Sequence, residues 1–292
     1  MWLLILVLYH PDPPTNLISK QYLFSREWCI MTTDTATFTL SQEEVYYLLN
    51  QVHARGLLGV DSAPLATFDA EQRRAVLTAA ARALQARGMI VLGTDGLPLL
   101  DAAVRATIHA AAFASSSLTA IARSAGESLL ATYIIHHAAP LWVEHTQPAA
   151  GLHRFALSPA PPPVQTRIEL LLGVTDQTPP LATPFTIDQA ELERIKAAAD
   201  SQEPALHEAV AAAGADAATA RLFAELLVGP RASAIVQAIN RRGEDEATCT
   251  VTILRNQHGF WLLEPSDTAN LNCRPAGANA IRYALAKLVE RL

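Results

Sequence analysis

Nine histidines give the chain its most adaptable chemistry, because imidazole can ligate metals and can carry protons near neutral pH. Four of them, His136, His137, His145 and His153, fall in a stretch with strand-like character. A hairpin turning near His137–Pro140 puts His136 opposite Trp142 and pairs His145 near Tyr133. Three residue steps of ~3.3 Å then separate His136 from His145, so the two do not converge. His145 and His153 can face each other across the next turn. Two histidines with no third ligand and no organising carboxylate make a poor zinc site, so all four are read as sheet-surface histidines.

Other motifs are weaker. His207-Glu208 opens like a zincin helix, but the position four after the histidine is Ala211, and a general base would have no metal to serve. No GxGxxG follows a strand, no glycine loop carries GK[ST], and no GxSxG elbow is present. Cys29, Cys249 and Cys273 lack CxxC spacing and read as free structural thiols in a reducing compartment. The expectation is a protein with no enzymatic activity, no cofactor and no metal. A metal-independent enzyme assembled from distant residues is the alternative within chemistry.

Half of the residues are hydrophobic and 17% are charged, with a net charge of −6. That balance fits a globular chain and gives no global attraction to phosphate backbones, so nucleic acid is not the expected partner. The first half still has a winged-helix flavour. Ala70–Arg87 carries Arg73, Arg74, Arg82 and Arg87, and Met89–Leu92, Gly93–Gly96 and Leu97–Leu99 follow like a wing. A DNA-binding regulator is therefore the second alternative. Trp2–Tyr9 is far short of the ~20 residues that span a bilayer, so no membrane insertion and a cytoplasmic location are expected. Residues 1–37 read as an N-terminal extension, disordered or a non-native start, with Met31 competing with Met1 as the start.

These side chains must be positioned by a scaffold, and the scaffold repeats itself. Phe38-Thr39-Leu40-Ser41-Gln42-Glu43-Glu44 returns as Phe185-Thr186-Ile187-Asp188-Gln189-Ala190-Glu191, each with an N-cap residue three before a glutamate. Three helices follow in each copy, about 42–55, 70–87 and 100–114, then about 189–200, 203–213 and 217–228. Four strands come next, with turn-like Ala125-Gly126-Glu127 and Arg242-Gly243-Glu244 after the first of them, and a last helix over 164–172 or 278–292. Leu141-Trp142-Val143 echoes Phe260-Trp261-Leu262, which places Trp142 and Trp261 at equivalent core positions. The fold class is α+β: two diverged ααα-ββββ-α units with quasi-two-fold symmetry, sharing an antiparallel meander sheet flanked by helical bundles. The sheet is read as continuous because merging covers edges that invite aggregation. The organisation is 1–37 extension, 38–174 first half, 175–184 Pro-rich linker and 185–292 second half.

This layout resembles the EspG family, the cytosolic specificity chaperones of type VII secretion. The residues that carry the likeness are the leucine-rich opening helix at Leu40–Leu49, the stretch Ala86–Gly96, the meander around Leu141-Trp142-Val143 and its echo in the second half. The resemblance implies a quasi-two-fold α/β architecture and a non-enzymatic chaperone or adaptor that binds a helical secretion substrate. It assigns no functional residue. Loops shown by a rigid sheet tend to carry recognition, so the strand-joining turns with His136, His137, Asn256, Gln257 and His258 are the candidate partner-binding residues.

Overall fold

A computed structural model describes residues 36–61, 63–94, 96–124, 130–176, 178–200, 206–228, 231–241 and 247–292, apart from the side chains at 63–64 and 198–200. The expected extension up to residue 35, with Met31, and the turns at Ala125-Gly126-Glu127 and Arg242-Gly243-Glu244 lie outside the described residues.

In chain order the elements are β1 (Ala36–Ser41), α1 (Gln42–Gln51), α2 (Ala63–Ala66), α3 (Ala70–Ala86), β2 (Ile90–Leu92), β3 (Pro98–Leu100), α4 (Ala102–Ala112), β4 (Ser116–Arg123), β5 (Ala131–Ala138), β6 (Leu141–Ala149), β7 (Leu152–Ser158) and α5 (Val164–Leu172). Then come β8 (Phe185–Asp188), α6 (Gln189–Asp200), α7 (Leu206–Ala212), α8 (Ala217–Val228), β9 (Ala232–Asn240), β10 (Ala247–Asn256), β11 (Gly259–Pro265), β12 (Asn270–Ala276) and α9 (Ala278–Val289). Among the described residues no helix is long and apolar enough to cross a membrane.

Local chemistry explains the helix starts. Ser41 Oγ accepts from the Glu44 amide while the Ser41 amide donates to Glu44 Oε2 at 2.8 Å, the reciprocal capping box expected for α1. Asp188 Oδ1 accepts from the amides of Ala190 and Glu191 at the start of α6. Val45, Leu48 and Leu49 then recur at helical spacing on the buried side of α1.

One ten-stranded antiparallel sheet runs β1-β7-β6-β5-β4-β9-β10-β11-β12-β8, and β2-β3 form a separate hairpin. The continuous sheet is joined through β4 and β9, from Ser116 opposite Asn240 to Arg123 opposite Ser233. Both outermost strands, β1 and β8, are additions to the expected order. Their few alternating residues sit directly against the helix N-caps Ser41 and Asp188, of which only Ser41 closes a reciprocal capping box, since Glu191 binds Arg194 instead. It is pairing with β7 and β12 that makes strands of them. β1 also begins at Ala36, inside the segment read as an extension. The two pairings share a register: Ser41 faces Leu152 as Asp188 faces Asn270, and Phe38 faces Phe155 as Phe185 faces Cys273. The open edge of β1 is blunted by Arg87, which donates to Thr39 O at 2.8 Å and pairs with Glu44.

Three cores result. On one face, α5 and α9 lie over the middle of the sheet, where small Ala120, Ala122, Ala234 and Ala238 let helices approach closely. On the other face, α1, α3 and α4 cover β6 and β7 through Leu48, Ile108, Val143 and Phe155. At the far end of that face, α6, α7 and α8 cover β11 and β12 around Phe223 and Trp261. The tryptophans are not equivalent. Aligned on their hairpin turns, Ala138 with Asn256 and Leu141 with Gly259, Trp142 falls on Phe260 and Val143 on Trp261. Side chains alternate between sheet faces, so this one-residue offset sends the two indoles to opposite faces. Trp142 packs half-buried against the α5/α9 core, while Trp261 is 1% exposed in the core under α8.

Candidate functional site

The two hairpin turns singled out from the sequence meet different surroundings. In β5, just before the β5–β6 turn, His136 is 1% exposed and faces Val143, so it is not a surface residue. Its Nδ1 lies 3.4 Å from Ser117 Oγ and its Nε2 has no hydrogen-bond partner. His137 stacks on Trp142 with ring centroids 4.0 Å apart, and its Nδ1 lies 2.8 Å from Leu292 O. Ser116 Oγ donates to that same carbonyl at 2.6 Å. His137 is thus engaged in holding the end of the chain beyond α9.

The assumed register of the β5–β6 hairpin also needs correction. Ile134, rather than Tyr133, faces His145, and the shift by one residue puts His136 and His145 diagonally on one face with ring centroids 5.8 Å apart. His145 Nε2 lies 2.9 Å from His153 Nδ1, and His145 stacks on Phe155. All three histidines are buried under the first helical layer instead of lying on the sheet surface. Burial disfavours the imidazolium. It lowers the pKa of His136 to about 3, helped by the charge of Arg241. It pulls His145 well below the ordinary histidine value, with His136 and His153 adding to the effect. It lowers that of His153 too, against the opposing pull of Glu43. Among the described residues no group of three His, Cys, Asp or Glu side chains is placed to hold a metal.

The β10–β11 turn is open to solvent. Asn256 Oδ1 accepts from the His258 amide at 2.9 Å, which folds the two-residue turn back on itself. Gly259 closes it at φ +133°, where an added Cβ would come within 2.9 Å of Pro180 Cδ. Asn256, Gln257 and His258 line a cleft of about 1170 Å³. Its other walls are the C-terminal end of α5 (Leu170, Leu171) and one stripe of α8 (Arg221, Glu225, Val228). Leu170 and Val228 are exposed. His258 Nε2 reaches Glu225 Oε2 at 3.2 Å, tying the turn to α8. Arg255 enters from the end of β10 and donates to Leu172 O at 3.0 Å. His207, at the start of α7, lines the same cleft.

The family model for the EspG family matches residues 46–287. The chain belongs to the EspG family. Among solved structures, the EspG-family fold here is similar to that of the Mycobacterium tuberculosis type VII secretion system chaperone EspG5, solved in complex with the PE25-PPE41 dimer. The TM-score is 0.62 at 13% identity, over 88% of this chain and 97% of that one. No curated protein matches the chain.

Within this EspG-family architecture, three of the five candidate residues come together at the cleft, one is locked to Leu292 and one is buried. The arginines behind the winged-helix alternative are partly spent on structure: Arg73 donates to Leu65 O and Phe68 O, and Arg87 ties α3 to β1. Sequence reasoning missed Arg221, Arg255 and Leu170. Each is ordinary in its own element, and only the folded sheet brings α5, α8 and β10 to one place. The one available signal was Arg255 itself, a charge at the inner end of an apolar strand.

Proposed function

We propose that the chain is a non-enzymatic chaperone or adaptor that holds a helical protein client, a type VII secretion substrate, in the cleft beside Asn256, Gln257 and His258. The observation that carries this reading is the shape and lining of the cleft. At about 1170 Å³ it exceeds the ~300–1,000 Å³ of small-molecule sites. The α8 wall, 12 residues or ~18 Å long, presents Ala217, Arg221, Ala224, Glu225 and Val228 along one stripe. Exposed apolar surface at Leu170 and Val228 with Arg221 and Glu225 beside it suits the apolar face and polar margin of an amphipathic helix in a groove. Family membership and the EspG5 complex with a PE25-PPE41 dimer support the choice of a protein partner. Catalytic sites tend to hold perturbed titratable groups facing a pocket, whereas three of the perturbed imidazoles here, His136, His145 and His153, are sealed beneath the first helical layer.

The same reading takes residues 38–174 and 185–292 as diverged copies joined by 175–184. The common register of the outer strand pairs supports it. Divergence then lets the second copy keep the client while the first, whose turn is tied down by Leu292, keeps the fold.

The test is affinity capture from the native host in which Asn256, Gln257 and His258 are all replaced by alanine, with circular dichroism to confirm the fold. Wild type is expected to retain a helical secretion substrate at one-to-one stoichiometry, identified by mass spectrometry, and the triple variant to lose it. Undiminished retention of the same client by a folded triple variant refutes this placement.

A further inference from the structure

The cleft contains a charge that no carboxylate among the described residues answers. Arg255 is half-buried, with its guanidinium 5.3 Å from the Phe260 ring centroid. Among the described residues its hydrogen bond is the one to Leu172 O, and none of the ion pairs includes it. Its neighbours in kind differ. Arg87 meets Glu44, Arg167 meets Glu144, Arg274 meets Glu264, and Arg282 meets both Glu169 and Asp176. A guanidinium carries five N–H donors in a fork that fits a carboxylate, and a partly desolvated one is normally paired.

The surroundings reinforce the imbalance. Arg221 lines the same cleft, and its contact with Glu225 is long, at 4.0 Å. Glu225 is shared with His258 at 3.2 Å. Among the described residues, two guanidiniums and one carboxylate therefore face this space, on a chain whose net charge is −6. Leu170, Leu171 and Val228 supply apolar surface around them.

We propose that the occupant is an amphipathic helix of another protein that carries an aspartate or glutamate within its apolar stripe, and that Arg255 receives that carboxylate, with Arg221 in the same cleft adding to the attraction. The inference rests on the cleft reading above and adds the chemistry by which one helix is chosen over another. Apolar contact alone discriminates poorly between helices, whereas an unpaired charge rejects a helix that leaves it unpaired.

The probe is a pair of fluorescein-labelled 18-residue amphipathic peptides, identical except for Glu or Gln at the centre of the apolar stripe, titrated against the full chain by anisotropy. The Glu peptide is expected to bind about ten-fold more tightly at low salt, as a charge-assisted pair supplies. Added salt narrows the gap. Arg255→Met is expected to erase the preference and Arg255→Lys to keep part of it, with circular dichroism confirming both folds. Equal binding of the two peptides to wild type, or an unchanged ratio in folded Arg255→Met, overturns the carboxylate proposal alone. If neither peptide binds, or if the alanine variant of residues 256–258 binds both as wild type does, the cleft reading falls with it.

Discussion

Lowering the pH from 7.5 to 5.0 is expected to weaken the fold by about 2 kcal/mol through buried His136, with buried His145 adding a loss of the same sign. The sign follows from their surroundings. His136 and His145 are held neutral in the folded chain because burial lowers their pKa values, that of His136 to about 3. In the unfolded chain each returns to about 6.5. Between those values the unfolded state binds more protons, so stability is complete above pH 6.5 and is lost as the pH falls towards 3. At pH 5.0 the proton taken up by the unfolded His136 imidazole, which the fold keeps neutral, shifts the balance by about 2 kcal/mol, and His145 adds to it in the same direction. That is an appreciable part of the ~5–15 kcal/mol typical of a domain. His153 and His109 act in the same direction. Asp216 and Asp267, whose hydrogen bonds hold their pKa values low, contribute a loss only at more acid pH. Urea unfolding followed by tryptophan fluorescence at both pH values measures the difference. His136→Gln should remove about 2 kcal/mol of the pH dependence and His145→Gln a further share of the same sign, whatever they do to absolute stability. Coincident wild-type stabilities at pH 7.5 and 5.0, or glutamine variants that keep the full wild-type slope, would refute the argument.

Two further perturbations separate packing claims. Trp261→Ala should cost about 3–5 kcal/mol, since it empties a buried site against Phe185 and Phe223. Trp142→Ala, at a half-buried ring stacked on His137, should cost only about 1–2 kcal/mol; equal losses in chemical denaturation would restore the equivalence rejected above. Gly59→Ala should destabilise by about 1–3 kcal/mol, because φ is +83° and the new methyl would lie 2.1 Å from Ile134 Cδ1 and 3.2 Å from His145 Cε1. A thermal midpoint unchanged by that substitution would show that the loop over His145 has room to move.

Much of the architecture was written locally. Capping at Ser41 and Asp188, the apolar spacing of α1, α5 and α9, and the alternation in β4–β7 and β9–β12 depend on neighbours a few residues away, and the sequence alone showed them in their right order. The resemblance to the EspG family was legible for the same reason, since it rests on the succession of such elements. What the sequence could not determine was register and long-range company. Ser41 and Asp188 announced helices, but only pairing with β7 and β12 turned the residues before them into edge strands. A register differing by one residue from the expected one brought His136, His145 and His153 onto a single buried face. The same parity, counted from the turns, sent Trp142 and Trp261 to opposite sides of the sheet. Successive side chains in a strand point to opposite faces, so one step of pairing decides what is buried, and that step is set by partners far away in the chain. The cleft is the extreme case, because α5, α8 and β10 become neighbours only after β4 and β9 have joined the two halves of the sheet.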